Sequence, residues 1–186
     1  MICIINASHR KEGFCDKALE LLTAHLHKTG AAEDIVIYRT ADLNIGYCKA
    51  CDYCEKNNGE CIIEDDMQKV LLSLTECDTL VVITPVYFSA MPASLKAIVD
   101  RCQCLYAYPK QYAPKKAYIL AFGGSSLYDG QFEGIFASFK HVFKDINATL
   151  TDSLCIPDTD SFMNETDDII REEIADFSKN IYNNRQ

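Results

Sequence analysis

Residues 2–15 read ICIINASHRKEGFC, and this stretch decides the fold. Ile2 to Asn6 form a largely apolar run, as expected of a strand buried on both faces in a parallel sheet. A polar loop follows, and then an amphipathic helix is expected from about Asp16 to Lys28, with Ala18, Leu21, Leu22 and Leu26 facing inward. A dinucleotide-binding turn at this place needs three closely spaced glycines, whereas Asn6 to Cys15 contains only Gly13.

The alternation continues outward from that turn. Gly30 is expected to end the first helix, and Ile35 to Tyr38 to form a second strand. From about residue 40 to residue 65 periodicity is weak, as in the long irregular loops that compact domains keep for function. Asp65 and Asp66 then start a helix carrying Met67, Val70, Leu71 and Leu74, and Thr79 to Thr84, TLVVIT, is the most hydrophobic strand. Pro92 suits the first turn of a helix whose buried stripe is Leu95, Ile98, Val99 and Cys102. Ala117 to Phe122 form the fourth strand, stopped by Gly123 and Gly124. Phe132, Ile135, Phe136, Phe139, Val142, Phe143 and Ile146 recur at helical spacing and belong to the core. A fifth strand is expected near Leu150 to Ile156, and a final helix near Glu165 to Tyr182 uses Ile169, Ile170, Ile174, Phe177 and Ile181.

Five strands alternating with helices make a doubly wound α/β sheet. Without the glycine fingerprint the expected arrangement is the flavodoxin-like parallel order 2-1-3-4-5, with residues 1–186 as one domain and the loop at about 40–65 as an insertion after strand 2. A ligand then belongs where strands one and three end side by side.

Composition narrows the function. The chain has 186 residues, 48% hydrophobic and 24% charged, enough to bury a core without staples. Acidic residues outnumber basic ones by 27 to 18, a formal charge of −9, which repels nucleic-acid backbones. No apolar run approaches the ~20 residues of a membrane span. The opening MICIIN is a strand and not a basic leader. A cytoplasmic protein with reduced cysteines, and without nucleic-acid or membrane partners, is the expectation.

Ten cysteines are present, and four of them lie in the run CKACDYCEKNNGEC, residues 48–61. Cys48, Cys51 and Cys54 fall at intervals of three, and Cys61 follows. Successive Cys-x-x-Cys steps can aim several thiolates at one small inorganic centre, as a [4Fe-4S] cluster requires. Zinc with four cysteines more often uses two separated pairs. Reduced, unmetallated thiols are the third reading.

Three loops carry the remaining chemistry. Ser8, His9, Arg10 and Lys11, followed by the amides of Gly13, Phe14 and Cys15 at a helix start, make a phosphate cradle. Pro85, Val86, Tyr87 and Phe88 put a rigid turn and two aromatic rings at a strand's carboxyl end, which suits a flat heteroaromatic ring. Gly123 and Gly124 let backbone approach a ligand closely.

The run of cysteines followed by Asp65, Asp66 and Met67, and the block PVYFSAMPASLKAIVDR from Pro85 to Arg101, resemble the NAD(P)H-dependent FMN reductase and iron–sulfur flavoprotein group of the flavodoxin-like superfamily. The resemblance extends from Met1 to about Ile156. It implies FMN at the three loops, NAD(P)H as hydride donor, and Cys48, Cys51, Cys54 and Cys61 holding a [4Fe-4S] cluster close to the flavin ring. It further implies homodimers or homotetramers and a small-molecule or ferredoxin-like electron acceptor. The family's first loop usually resembles GSPR, then a basic residue and, after a glycine, Asn and Thr. Here those places are Ala7, Ser8, His9, Arg10 and Lys11, then Phe14 and Cys15. With the chemistry carried by the cofactor, no catalytic acid or base is expected among the side chains. Two other functions fit the residues: a flavodoxin-type carrier that excludes nicotinamide, and a zinc-stapled binding protein without FMN.

Overall fold

The structure, a computed structural model, describes residues 1–28, 34–161 and 168–184. Five strands, β1 (Ile2–Asn6), β2 (Ile35–Arg39), β3 (Thr79–Pro85), β4 (Lys115–Phe122) and β5 (Ala148–Ile156), form one sheet in the order β2-β1-β3-β4-β5. Every neighbouring pair is parallel. The flavodoxin-like topology read from the first turn is the one observed. Strand β5 begins two residues before the expected Leu150, because Ala148 and Thr149 pair with Lys115 and Lys116, and a register shift between Ala117 and Tyr118 leaves Thr151 unpaired against β4.

Side-chain alternation divides the core. Ile2 and Ile4 of β1 and Val81 and Ile83 of β3 pack with α1 (Phe14–Lys28) and α7 (Asp168–Asn183). Cys3, Ile5, Leu80 and Val82, one residue out of phase, pack on the other face with α3 (Met67–Glu76), α4 (Ala93–Arg101) and α6 (Glu133–Asp145). Leu22, Leu26, Val70, Leu95, Ile98 and Ile135 are buried as their spacing predicts. Helix α1 starts at Phe14, earlier than Asp16, because Asp16 and Lys17 both donate their N–H to Gly13 O and wind the first turn there. Gly30, the expected start of the last helix at Glu165 and the side chain of Ile169 lie outside the described residues.

The loop at 40–65 is not wholly irregular. It opens with a 3-10 turn at Thr40–Asp42 and contains a short helix, α2 (Tyr53–Lys56). Five-residue α5 (Gln103–Ala107), which periodicity did not disclose, packs against it.

Candidate functional site

Strands β1 and β3 are neighbours whose chains leave in opposite directions, to β2 and to β4, and a cleft opens at their carboxyl ends. Its cavity volume is about 160 Å³. Ser8, Arg10, Gly13, Phe14 and Cys15 line one side, Pro85, Val86 and Tyr87 another, and Gly124 the third. All three loops expected to share one ligand therefore meet in a single cleft.

The first loop holds itself in shape. Ser8 Oγ accepts from Arg10 N–H at 3.2 Å and donates to Arg10 O at 3.1 Å. Asn6 Oδ1 accepts from Ser8 N–H, and Asp16 accepts from both Asn6 Nδ2 and Glu12 N–H. These bonds turn the loop back over α1, leaving the N–H groups of Phe14 and Cys15 at a helix start, where no intrahelical acceptor exists. Helix-start amides of this kind receive anions. Burial, with the Asp16 charge beside it, pushes the Cys15 thiol up to about 12, so it stands there as a neutral group.

The second loop is a tight turn. Tyr87 and Ala90 exchange both backbone hydrogen bonds, and Phe88 and Ser89 between them adopt φ of 50° and 58°. Left-handed backbone at two non-glycine residues costs of order 1–3 kcal/mol each. The turn is held from outside by α6, where Gly134 N–H donates to Ser89 O at 3.2 Å. The third loop is tied to the end of β5: Thr159 N–H donates to Gly123 O and Asp160 N–H to Gly124 O. Phe14 and Phe122 pack with ring centres 6.3 Å apart and planes tilted by 34°, and give that side an apolar wall.

Four expected residues do not line the cleft. His9 Nε2 pairs with Ser94 Oγ at 2.7 Å, at the start of α4. Lys11 is exposed, Phe88 points fully into solvent, and Gly123 backs onto Gln131. Phe122, Thr159 and Asp160 line the cleft without having been expected there. The pairing of Thr159 and Asp160 with the glycine loop is a tertiary contact that leaves no local signal.

At the other end of α4 is a second pocket. Cys48, Cys51, Cys54 and Cys61 line it together, with Cys104 and Arg101. Ala50, Asp52, Asn58 and Gly59 all have positive φ, and these reversals fold the run so that sulfurs from both its halves reach one place. Burial raises the Cys54 thiol above its ordinary value, the Cys61 and Cys48 charges adding to it. Cys104 is pushed up to about 11 by burial and then by Cys61 and Cys54. Its place in this pocket follows from α5 and not from the cysteine spacing.

Asp65 and Asp66 anchor the run to α3. Asp66 Oδ2 accepts from Asn44 N–H at 2.7 Å, and Asp65 accepts from Gly46 N–H at 2.8 Å and from Met67 N–H at 3.0 Å. Burial alone would raise the Asp65 carboxyl, but the Arg101 hydrogen bond and those amides hold it below the ordinary range. A helix of nine residues separates this pocket from the cleft, so the two ends of α4 lie about 12 Å apart.

The sequence model of the NADPH-dependent FMN reductase family matches residues 1–132. Among curated proteins, an iron-sulfur flavoprotein of Methanocaldococcus jannaschii is 31% identical over 121 residues, 64% of this chain and 60% of that protein. One of Methanosarcina thermophila is also 31% identical over 121 residues, 65% of this chain and 62% of its own length. The matched stretch thus spans about three-fifths of these relatives. Among solved structures, the azoreductase AzrA superposes with a TM-score of 0.72 at 16% identity, covering 95% of this chain and 98% of that one. That likeness concerns the fold.

Proposed function

The chain belongs to the NADPH-dependent FMN reductase family, and from that premise we propose that it is an FMN-dependent oxidoreductase that takes hydride from NAD(P)H. We propose further that it passes electrons onward through a [4Fe-4S] cluster held by Cys48, Cys51, Cys54 and Cys61. The observation that carries the reading is the meeting of an anion-ready helix start, an aromatic turn and a glycine loop in the one switch-point cleft.

The residues fit FMN. Phe14 and Cys15 N–H, with the Arg10 guanidinium, suit its phosphate, and Ser8 holds the loop that presents them. Pro85, Val86 and Tyr87 suit the edge and face of its ring, and Phe122 adds an apolar wall. A Cβ on Gly124 would fall 2.5 Å from Asp160 Oδ2, so a larger residue here would have to displace the Asp160 side chain from the cleft wall. His9, Lys11, Phe88 and Gly123 stand around the cleft as supports and rim. FMN, when bound, supplies hydride acceptance and electron release, while the chain supplies position and field. No side chain in the cleft is assigned a proton-transfer step.

The cysteine pocket also fits its group. A single zinc ion needs its thiolates about 2.3 Å away in a tetrahedron. Among the described residues no three ligating side chains are arranged to hold a metal ion; what supports the cluster reading is that Cys48, Cys51, Cys54 and Cys61 line one pocket. The cluster supplies one-electron transfer at a potential set by charge and hydrogen bonding. With the family resemblance as their support, we propose one domain over the whole chain, a cytoplasmic setting, a homodimer or homotetramer, and a small-molecule or ferredoxin-like acceptor.

The test is anaerobic addition of NADPH or NADH to the FMN-loaded protein. Rapid bleaching of the flavin band is expected. Flavin that stays bound and oxidised would replace this reading with that of a flavodoxin-type carrier.

A further inference from the structure

Arg101, the last residue of α4, has a side chain with no solvent exposure. Its Nη1 donates to Gly46 O at 3.0 Å and to Asp65 Oδ2 at 2.7 Å, and its Nη2 to Ile63 O at 3.1 Å and to Asp65 Oδ1 at 3.2 Å. Gly46 stands two residues before Cys48, and Ile63 two residues after Cys61. One planar guanidinium therefore closes both ends of the cysteine run, a geometry that the compact ammonium of lysine lacks.

The fork accounts for Nη1 and Nη2 but not for Nε. That N–H is buried and has no hydrogen-bond partner, an arrangement native structures rarely leave uncompensated. Arg101 lines the cysteine pocket together with Cys61, and the Cys61 side chain lies within interaction range of the guanidinium. Lys49 is the other cation lining the pocket, and it is exposed. Several thiolates gathered in an acidic chain need a desolvated positive charge beside them, and Arg101 is placed to provide it.

We propose that Arg101 is the positioning residue of the cysteine pocket, closing the run into its binding shape and donating Nε–H to sulfur of the cluster at Cys61. The donation rests on the cluster reading above; the closure does not. Hydrogen bonds and positive charge at cluster sulfurs favour the reduced, more negative state. Arg101 would thus set both retention and potential of the cluster.

The experiment compares wild type with Arg101→Lys, Arg101→Gln and Asp65→Asn, each reconstituted anaerobically and checked for FMN content as a sign of folding. Iron loss to a chelator is expected to be at least about tenfold faster in Arg101→Gln. Its cluster midpoint potential should move to a more negative value. Arg101→Lys, which keeps the charge but not the fork, should lose iron faster with a smaller shift in potential. Asp65→Asn covers the case in which both Arg101 variants fail to fold, and should release iron faster than wild type. Wild-type retention and potential in every folded variant would overturn the proposal. If wild type itself takes up no iron, the cluster reading and the Nε donation fall together. Hydrogen exchange on the metal-free proteins then decides the closure: faster exchange over residues 46–63, with the sheet unchanged, supports it, and equal exchange overturns it.

Discussion

Arg39 Nη2 donates to Asp16 Oδ2 across 2.9 Å, joining the last residue of β2 to the first turn of α1. The same carboxylate accepts from Asn6 at the end of β1 and from Glu12 N–H within the loop. A negative charge beneath an anion cradle would repel a phosphate; here it is neutralised from behind and shapes the loop instead.

Asp16 links this loop to acid stability. Burial would raise its pKa, but the Arg39 and Asn6 hydrogen bonds and the Glu12 N–H outweigh it, so the folded value lies below the ordinary one. A depressed carboxyl contributes its stability above the unfolded pKa, near ~3.9, and loses it as pH falls through the folded value. Asp16→Asn is expected to cost about 1–2 kcal/mol in urea unfolding near neutral pH, and the gap to wild type should shrink below about pH 4. A gap independent of pH would contradict this.

Ser8 acts through the loop. Ser8→Ala removes both bonds to the Arg10 backbone, worth about 1 kcal/mol each at most in net terms. FMN affinity, measured by fluorescence titration, should fall roughly five- to tenfold, with Tm lowered by only a few degrees.

Gly134 supports the aromatic turn from α6. A Cβ there would fall 2.4 Å from Ser89 O, a backbone atom that cannot swing aside. Gly134→Ala should destabilise by about 1–3 kcal/mol through overpacking, and weaker FMN binding should accompany it because the displaced turn carries Tyr87. Gly130→Ala meets nothing closer than 3.7 Å but sits at a φ of 76°. It should cost stability without touching FMN affinity, which separates strain from displacement.

Cys51 is the exposed member of the four pocket cysteines. Cys51→Ser should abolish iron-dependent absorbance while FMN stays bound, because the cleft and the pocket stand at opposite ends of α4. Cys104→Ser should leave the iron content intact, since the Cys104 thiol donates to Arg101 O at the end of α4. Loss of flavin in Cys51→Ser would mean that the cleft depends on the filled pocket.

The sheet was legible because β1 and β3 are buried runs of uniform character and because Asn6 to Cys15 lacks two glycines. Strand order followed from that single turn. The cleft was legible as far as it is built from residues adjacent to strand ends: Ser8, Arg10, Phe14, Pro85 and Tyr87 arrive together. Thr159 and Asp160 come from the end of β5, where only the folded sheet brings them to Gly124. Arg101 was equally hidden, since a charge at the end of an amphipathic helix reads as a surface residue. Its burial comes from the carbonyls and carboxylate of a distant loop.

A flavin cleft and a cluster pocket on one chain should both be visible in its spectrum. The direct measurement is the absorption spectrum of anaerobically purified protein, with iron, sulfide and zinc assays on the same sample. Flavin bands with a broad shoulder near ~400 nm and about four irons per chain are expected. A colourless protein holding stoichiometric zinc would contradict both assignments.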